Sequence, residues 1–226
     1  MDVLGIDACG KHGWVGVGLT DGRYAGTLVE TRIGALIERA RDVRAVAVDM
    51  PLGLLETGWR RADLQARLRL GARRSSIFLA APRVVWQEPD YPAAAFRCRE
   101  LTGSGLSRQA WALAPKLREA RECWLGDPER IHEVHPELSF QALAGGTPLS
   151  HAKKTWRGQN VRRALLAGAG IVLPDALGEG DRIPPDDVLD AAAAAWSARR
   201  IALGTAERLP AEPERDPQGR PVEIRW

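Results

Sequence analysis

The sequence predicts an α/β fold built on a mixed sheet. Three observations carry this. Residues 3–7, 14–19 and 24–30 are short apolar or alternating runs separated by tight-turn signals. Ile33, Leu36, Ile37 and Ala40 then recur at helical spacing. A continuous apolar run, Ala45-Val46-Ala47-Val48, follows, the pattern of a strand covered on both faces.

The first strand reads Val-Leu-Gly-Ile-Asp, and Gly10-Lys11-His12-Gly13 turns it. Residues 14–19 alternate large side chains with glycine, and Asp21-Gly22 is a hairpin signal leading into 24–30. These three strands form a meander. The helix at 33–40 then leads to a strand at 44–49. Met50-Pro51 ends it, because proline gives no donor to a central ladder. A right-handed crossover lays this fourth strand parallel to the first. Asp7 and Asp49 then both stand near C-terminal strand ends, the edge where α/β sheets form sites.

Residues 1–226 read as a single domain with a mostly helical insertion at about 57–128. Its helices are predicted at 61–70, 93–101 and 108–124, the last kinked or broken at Pro115. Residues 71–76 interrupt them. A strand at 130–135 ends at Pro136. A helix at 158–169 has Val161, Leu165 and Leu166 as its core face, and 171–174 is a short strand or buried connector. Pro184-Pro185-Asp186 starts a final helix with Asp186 as its N-cap, and Gly204 ends it. Residues 209–219 read as a surface tail, with 221–226 docking back.

A chain of 226 residues that is 45% hydrophobic can enclose a sizeable core. No run approaches the roughly 20 apolar residues needed to span a bilayer. The first residues lack a basic leader, and Asp7 breaks their apolar run. Cys9, Cys98 and Cys123 match neither a disulfide framework nor a close-spaced zinc motif. A cytoplasmic protein with no membrane association is the expectation.

The net charge of +3 says less than its distribution. Arg60, Arg61, Arg67, Arg69, Arg73, Arg74 and Arg83 stand against one acid, Asp63, while the balance reverses between Asp175 and Asp190. A basic surface beside an acidic pocket suits a polyanion held near metal ions. A solvated helix face is the plainer alternative.

Acidic residues cluster at element ends: Asp7, Asp49, and the group Asp186, Asp187 and Asp190. Carboxylates gathered in a fold interior are costly unless a cation joins them, and a divalent ion does so directly. Asp187 and Asp190 share a helix face at i, i+3, as do Asp186 and Asp190 at i, i+4. Asp186 reads better as a cap than as a ligand. Arg73 and Arg74 beside Ser75 and Ser76 can grip phosphate oxygens. Lys153 and Lys154 lie in a polar loop with the same capacity, and Lys11 can reach a phosphate from its turn. Cys9 reads as a small residue packed under the site rather than a nucleophile. On a strand, Glu133 and His135 share one face, opposite His132 and Val134. That parity argues against zinc held by His132 and His135.

Five motifs run in order along the chain: Gly5-Ile6-Asp7-Ala8-Cys9 with Gly13-Trp14-Val15; Asp49-Met50-Pro51-Leu52-Gly53-Leu54; Arg73-Arg74-Ser75-Ser76-Ile77-Phe78; Glu133-Val134-His135-Pro136-Glu137 with Ser139-Phe140; and Asp186-Asp187-Val188-Leu189-Asp190-Ala191. On them the chain resembles the family of unknown function 429 (DUF429), described as RNase H-like nucleases. The resemblance implies a ribonuclease H-like five-stranded sheet of order 3-2-1-4-5, its first three strands antiparallel, with flanking helices. It implies Asp7 as the first-strand metal ligand, Asp49 as the second acid, and Asp187 or Asp190 as the acid from the last helix. Glu133, or secondarily Glu137, is the candidate for a further acid. Glu133 and His135 read equally as scaffold around the Pro136 turn. The implied activity is hydrolysis of DNA or RNA phosphodiesters with two Mg²⁺ or Mn²⁺ ions, and nucleic acid is the implied partner. The alternatives are phosphoryl transfer on a small molecule by the same fold, non-catalytic nucleic-acid binding, and a scaffold docking through the helical insertion.

Overall fold

The computed structural model describes residues 1–226. Strand β1 (Val3–Ala8) pairs antiparallel with β2 (Trp14–Thr20), and β2 with β3 (Arg23–Glu30). Helix α1 (Ile33–Arg39) crosses to β4 (Ala45–Val48), which lies parallel to β1. A fifth strand, β5 (Ile131–Glu133), adds parallel to β4. The order β3-β2-β1-β4-β5 is the ribonuclease H-like topology.

Period-two alternation sorts these strands onto two cores. Leu4, Ile6, Val46, Val48 and Ile131 pack on one face with residues of α1, α3 (Tyr91–Thr102) and α5 (Ala114–Gly126). Val3, Val15, Val17, Ala45 and Ala47 pack on the other, against α8 (Pro185–Ala202). Asp7 and Asp49 continue this second series. The Asp49 N–H donates to the Ile6 carbonyl at 2.9 Å, extending the β1–β4 ladder past β4.

The approach of α8 to β1 depends on missing side-chain atoms. A Cβ on Gly5 would lie 1.9 Å from the Ala195 nitrogen and 2.3 Å from the Ala191 carbonyl oxygen. Ala191 through Ala195 are all fully buried. Small residues on both sides let the helix backbone rest against the strand. Asp190, one residue before the alanines, is thereby held over the end of β1.

Between β4 and β5 lie α2 (Arg61–Leu70), α3, α4 (Arg108–Trp111) and α5. The single helix expected at 108–124 is two helices. Pro115 sits in the first turn of α5, where a missing N–H costs nothing. Glu119 of α5 accepts from the Ile33 N–H at 2.8 Å and the Trp14 indole at 3.0 Å, tying α5 to the start of α1.

Other elements depart from expectation. Pro136 ends the β5 segment but also opens α6 (Pro136–Leu143), which His135 caps through its ring. Helix α7 (Trp156–Gly168) follows, and residues 171–174 are a connector, the second of the two expected forms. At α8 the N-cap is Pro184, without a side-chain cap, and Asp186 lies inside the first turn. The C-terminal stretch forms an antiparallel hairpin, β6 (Arg208–Arg215) and β7 (Pro221–Arg225). It buries Ile224 and Trp226 against Ala62, Ala66 and Leu70 of α2. No helix is long and apolar enough to cross a membrane.

The tight β1–α8 contact has a measurable consequence. Gly5→Ala should lower stability by about 2–3 kcal/mol, because neither backbone can yield to the added methyl. Urea denaturation reads this directly, and an unchanged midpoint would contradict the close packing.

Candidate metal centre

Three elements converge on one point. Asp7 lies in the C-terminal half of β1, Asp49 directly follows β4, and Asp190 projects from the second turn of α8. One carboxylate oxygen from each lies within 4.8 Å of the other two. Asp7 and Asp190 are buried and Asp49 is half-buried. Asp7 accepts the Ala8 N–H at 2.7 Å. Asp190 accepts from the Lys153 ammonium through Oδ2, while its Oδ1 is buried without any partner. Asp187 stands half-buried one turn earlier on α8.

Burial is the main cause of the carboxylates' unusual acidities. It acts on Asp7 together with Asp49 and Asp190 to hold that group well above the ordinary carboxylate range. Burial also raises Asp49. Asp190 is pushed up to about 7 by burial, although Lys153 opposes the shift. Asp187 is raised to about 6 by burial and by Asp186. Burial works against the charge on Lys153, but Asp190 and Asp7 outweigh it and keep its ammonium above the usual lysine range. Lys153 is therefore a cation that the chain itself supplies to the cluster. An all-oxygen donor set with one orphaned buried oxygen fits a hard divalent cation.

Glu133 lines the same cavity as Asp7, Asp49 and Asp190 but is not one of the three clustered carboxylates. Its register partner is Val48, whose side chain packs on the sheet face opposite Asp7 and Asp49. Parallel partners point the same way, so Glu133 projects from that far face. There Arg60 donates to its two oxygens at 2.7 and 2.8 Å, and the Leu52 N–H donates at 2.7 Å. Arg60 is itself buried and also grips Asp63, which accepts the Ala80 N–H at 2.8 Å. Glu133 thus anchors the chain after β4 and is not among the clustered carboxylates. Glu137 is likewise engaged, by Arg162 at 2.5 Å and Arg73 at 3.1 Å.

A cavity of about 420 Å³ opens in front of the carboxylates, lined among others by Arg73, Ser75, Gln109, His135 and Lys153. Arg73 and Lys153 are the two phosphate-contact candidates that reach it. Arg74 and Lys154 are exposed outside it, and Lys11 borders a separate shallow pocket beside Glu30. The arginine-rich stretch is less of a cationic surface than its composition suggests. Arg60, Arg61, Arg69, Arg73 and Arg83 each pair with an acid, most of them from distant sequence. Cys9 is buried, and burial with Asp187 and Asp7 pushes its thiol up to about 11. It is therefore protonated and not a nucleophile.

Two features lay beyond sequence reasoning. The direct Lys153–Asp190 contact joins a loop to a helix with no local signal. The Arg60–Asp63–Glu133 group drew on an arginine that reads as surface charge.

Fold and site together define a ribonuclease H-like protein with a buried acidic cluster suited to a divalent metal. The model of the family described as "Protein of unknown function (DUF429)" matches residues 5–215, and the chain belongs to that family. Comparison with curated proteins and with solved structures gives no match.

Two outcomes check this site. A folded state that keeps a proton on Asp190 up to about pH 7, when the unfolded chain releases it near 3.8, binds more protons between those values. The Asp190 contribution is therefore favourable at low pH and lost as pH rises through about 7. Relative to Asp190→Asn, the metal-free parent should lose stability across that window, by a few kcal/mol at most. Mn²⁺ should then raise the parent's melting temperature more at alkaline than at acidic pH. Thermal melts in chelator and in Mn²⁺ measure both, and an equal Mn²⁺ shift at both pH extremes would contradict the assignment. Separately, Glu133→Ala should cost about 3 kcal/mol by stripping a buried arginine of one partner. A Glu133→Ala protein as stable as the parent in urea would remove Glu133 from its anchoring role.

Proposed function

We propose that this protein is a metal-dependent nuclease that hydrolyses phosphodiester bonds of DNA or RNA. The observation that carries this reading is the convergence of Asp7, Asp49 and Asp190, with a buried Asp190 oxygen left unpartnered. Asp7, Asp49 and Asp190 would hold two divalent ions there, Mg²⁺ or Mn²⁺, and these would supply an activated water and stabilisation of the leaving oxygen. Asp7, near the end of β1, would be one ligand. Asp49 and Asp190 flank it, and Asp187 extends the acidic edge toward solvent. Lys153 keeps Asp190 oriented and limits repulsion before a cation arrives. Arg73, steadied by Glu137, faces a phosphate across the cavity. Arg74, Lys154 and Lys11 lie outside the cavity and serve flanking phosphates, which position a strand without reading its sequence. Glu133, in the wall of the same cavity, braces the site through Arg60. Three free thiols fit a reducing, cytoplasmic setting.

One observation favours a second reading. The cavity volume of about 420 Å³ suits a ligand of nucleotide size. A small phosphorylated molecule would then be the substrate of the same carboxylates.

The test is an assay of parent and Asp7→Asn with Mg²⁺ and Mn²⁺ on labelled single-stranded, duplex and branched DNA and RNA. The parent should cleave at least one, and Asp7→Asn should lower the rate on the order of 100-fold or more. No cleavage of any of them, with hydrolysis of a free nucleotide instead, would transfer the assignment to the second reading. Equal function in the folded Asp7→Asn protein would point to a non-catalytic role.

A further inference from the structure

Between Glu137 and Asp175 the chain has no acidic residue, yet it carries Lys153, Lys154, Arg157, Arg162 and Arg163. Within this span Trp156 is 81% exposed at the first position of α7. An indole left in water gives up the burial that tryptophan ordinarily gains, so its place on a cationic surface calls for an occupant. A second cavity, of about 350 Å³, lies beside it, with Ser150, His151, Arg157 and Arg162 in its wall. No carboxylate lines this cavity. Arg162 is completely buried, and its Nε has no hydrogen-bond partner. Arg157 Nε meets His151 Nε2 at 3.1 Å. The segment joining the two cavities is short: Lys153 lines the first and His151 the second.

This segment is held in place. Thr155 Oγ1 donates to the Ala152 carbonyl at 2.8 Å and accepts the Gly158 N–H at 3.1 Å. Arg162 donates to the His151 carbonyl at 3.1 Å. Gly158 is required there, because a Cβ would fall 2.0 Å from the Ala152 oxygen. Trp156 and Arg157 therefore stand on a preorganised frame, which lowers the ordering cost of binding.

We propose that the segment from Ser150 to Arg157 is a clamp for an unpaired nucleic-acid strand. One base stacks on Trp156, and a backbone phosphate sits at the cavity of His151 and Arg157. Charge complementarity selects this occupant: Lys154 and Arg157 are exposed and pair with no acid, next to an aromatic face that accepts any base. A duplex hides its base faces and cannot use Trp156 in this way. The inference deepens the nuclease reading and rests on it for the strand's path, since Lys153 leads from the clamp to the carboxylates.

The test is fluorescence anisotropy of short labelled single-stranded DNA and RNA, and of the matched duplexes, measured in chelator so that nothing is cleaved. Trp156→Ala should weaken single-strand binding roughly tenfold, and Trp156→Phe should restore most of it. Duplex binding should change less. Arg157→Ala should lower the salt dependence by about one phosphate contact. A parent that binds no single strand, or a Trp156→Ala protein that binds like the parent, overturns the clamp. Concentration-dependent self-association that disappears in Trp156→Ala would assign the face to a second copy of the chain and also overturn it. A parent that cleaves while Trp156→Ala binds normally sinks the clamp alone. A parent that binds through Trp156 but cleaves nothing sinks the nuclease reading alone.

Discussion

Like-charge burial is the constraint around which this molecule is arranged. Asp7, Asp49 and Asp190 meet where burial raises all three above the ordinary carboxylate range. Hydrophobic packing alone would exclude such a group. What brings the acids together is the geometry of the sheet and of α8. Parallel β1 and β4 place Asp7 and Asp49 on the same face, and the Gly5–alanine contact fixes the height of Asp190 above them. The stability supplied by that alanine seam offsets the electrostatic cost at its end. Lys153 offsets part of it with one ammonium. A divalent cation adds more charge in less space and reaches oxygens that a single ammonium leaves bare.

The sheet's far face serves the site in a different way. Arg60 is buried between Asp63 and Glu133, with every interaction short and the carboxylates further fixed by the Leu52 and Ala80 N–H groups. A buried pair of this kind adds little net stability over an apolar substitute, but breaking it is costly. Its effect is positional. It pins the chain that leaves β4 just after Asp49 and the strand that leads to His135. The α6 side is pinned similarly, by Glu137 between Arg73 and Arg162. Residues that look like cationic surface in the sequence therefore act as internal struts.

Much of the sheet was legible because its signals are local. Apolar runs, an Asp-Gly turn and one helical stripe suffice for β1 to β4. Asp7 and Asp49 stand out because each interrupts an apolar run at a strand end. Asp190 is visible through helix periodicity, ahead of alanines whose burial marks the buried side. Glu133 shows where local reading stops. Its face depends on register with β4, and a three-residue strand carries too little alternation to reveal it. Pro136 was read as an ending and is equally a helix start. The β6–β7 hairpin was hidden by prolines and by a register shift between Leu209 and Glu214. The pairing of Lys153 with Asp190 spans 37 positions and has no sequence signature.

The decisive quantity is the affinity of the carboxylate cluster for a divalent ion, read without reference to any substrate. Calorimetric titration of Mn²⁺ into the parent and into a folded Asp49→Asn protein gives it. Saturable binding by the parent, strongly weakened in Asp49→Asn, is the expected result. Equal binding by both, or none by the parent, would contradict a metal centre at Asp7, Asp49 and Asp190.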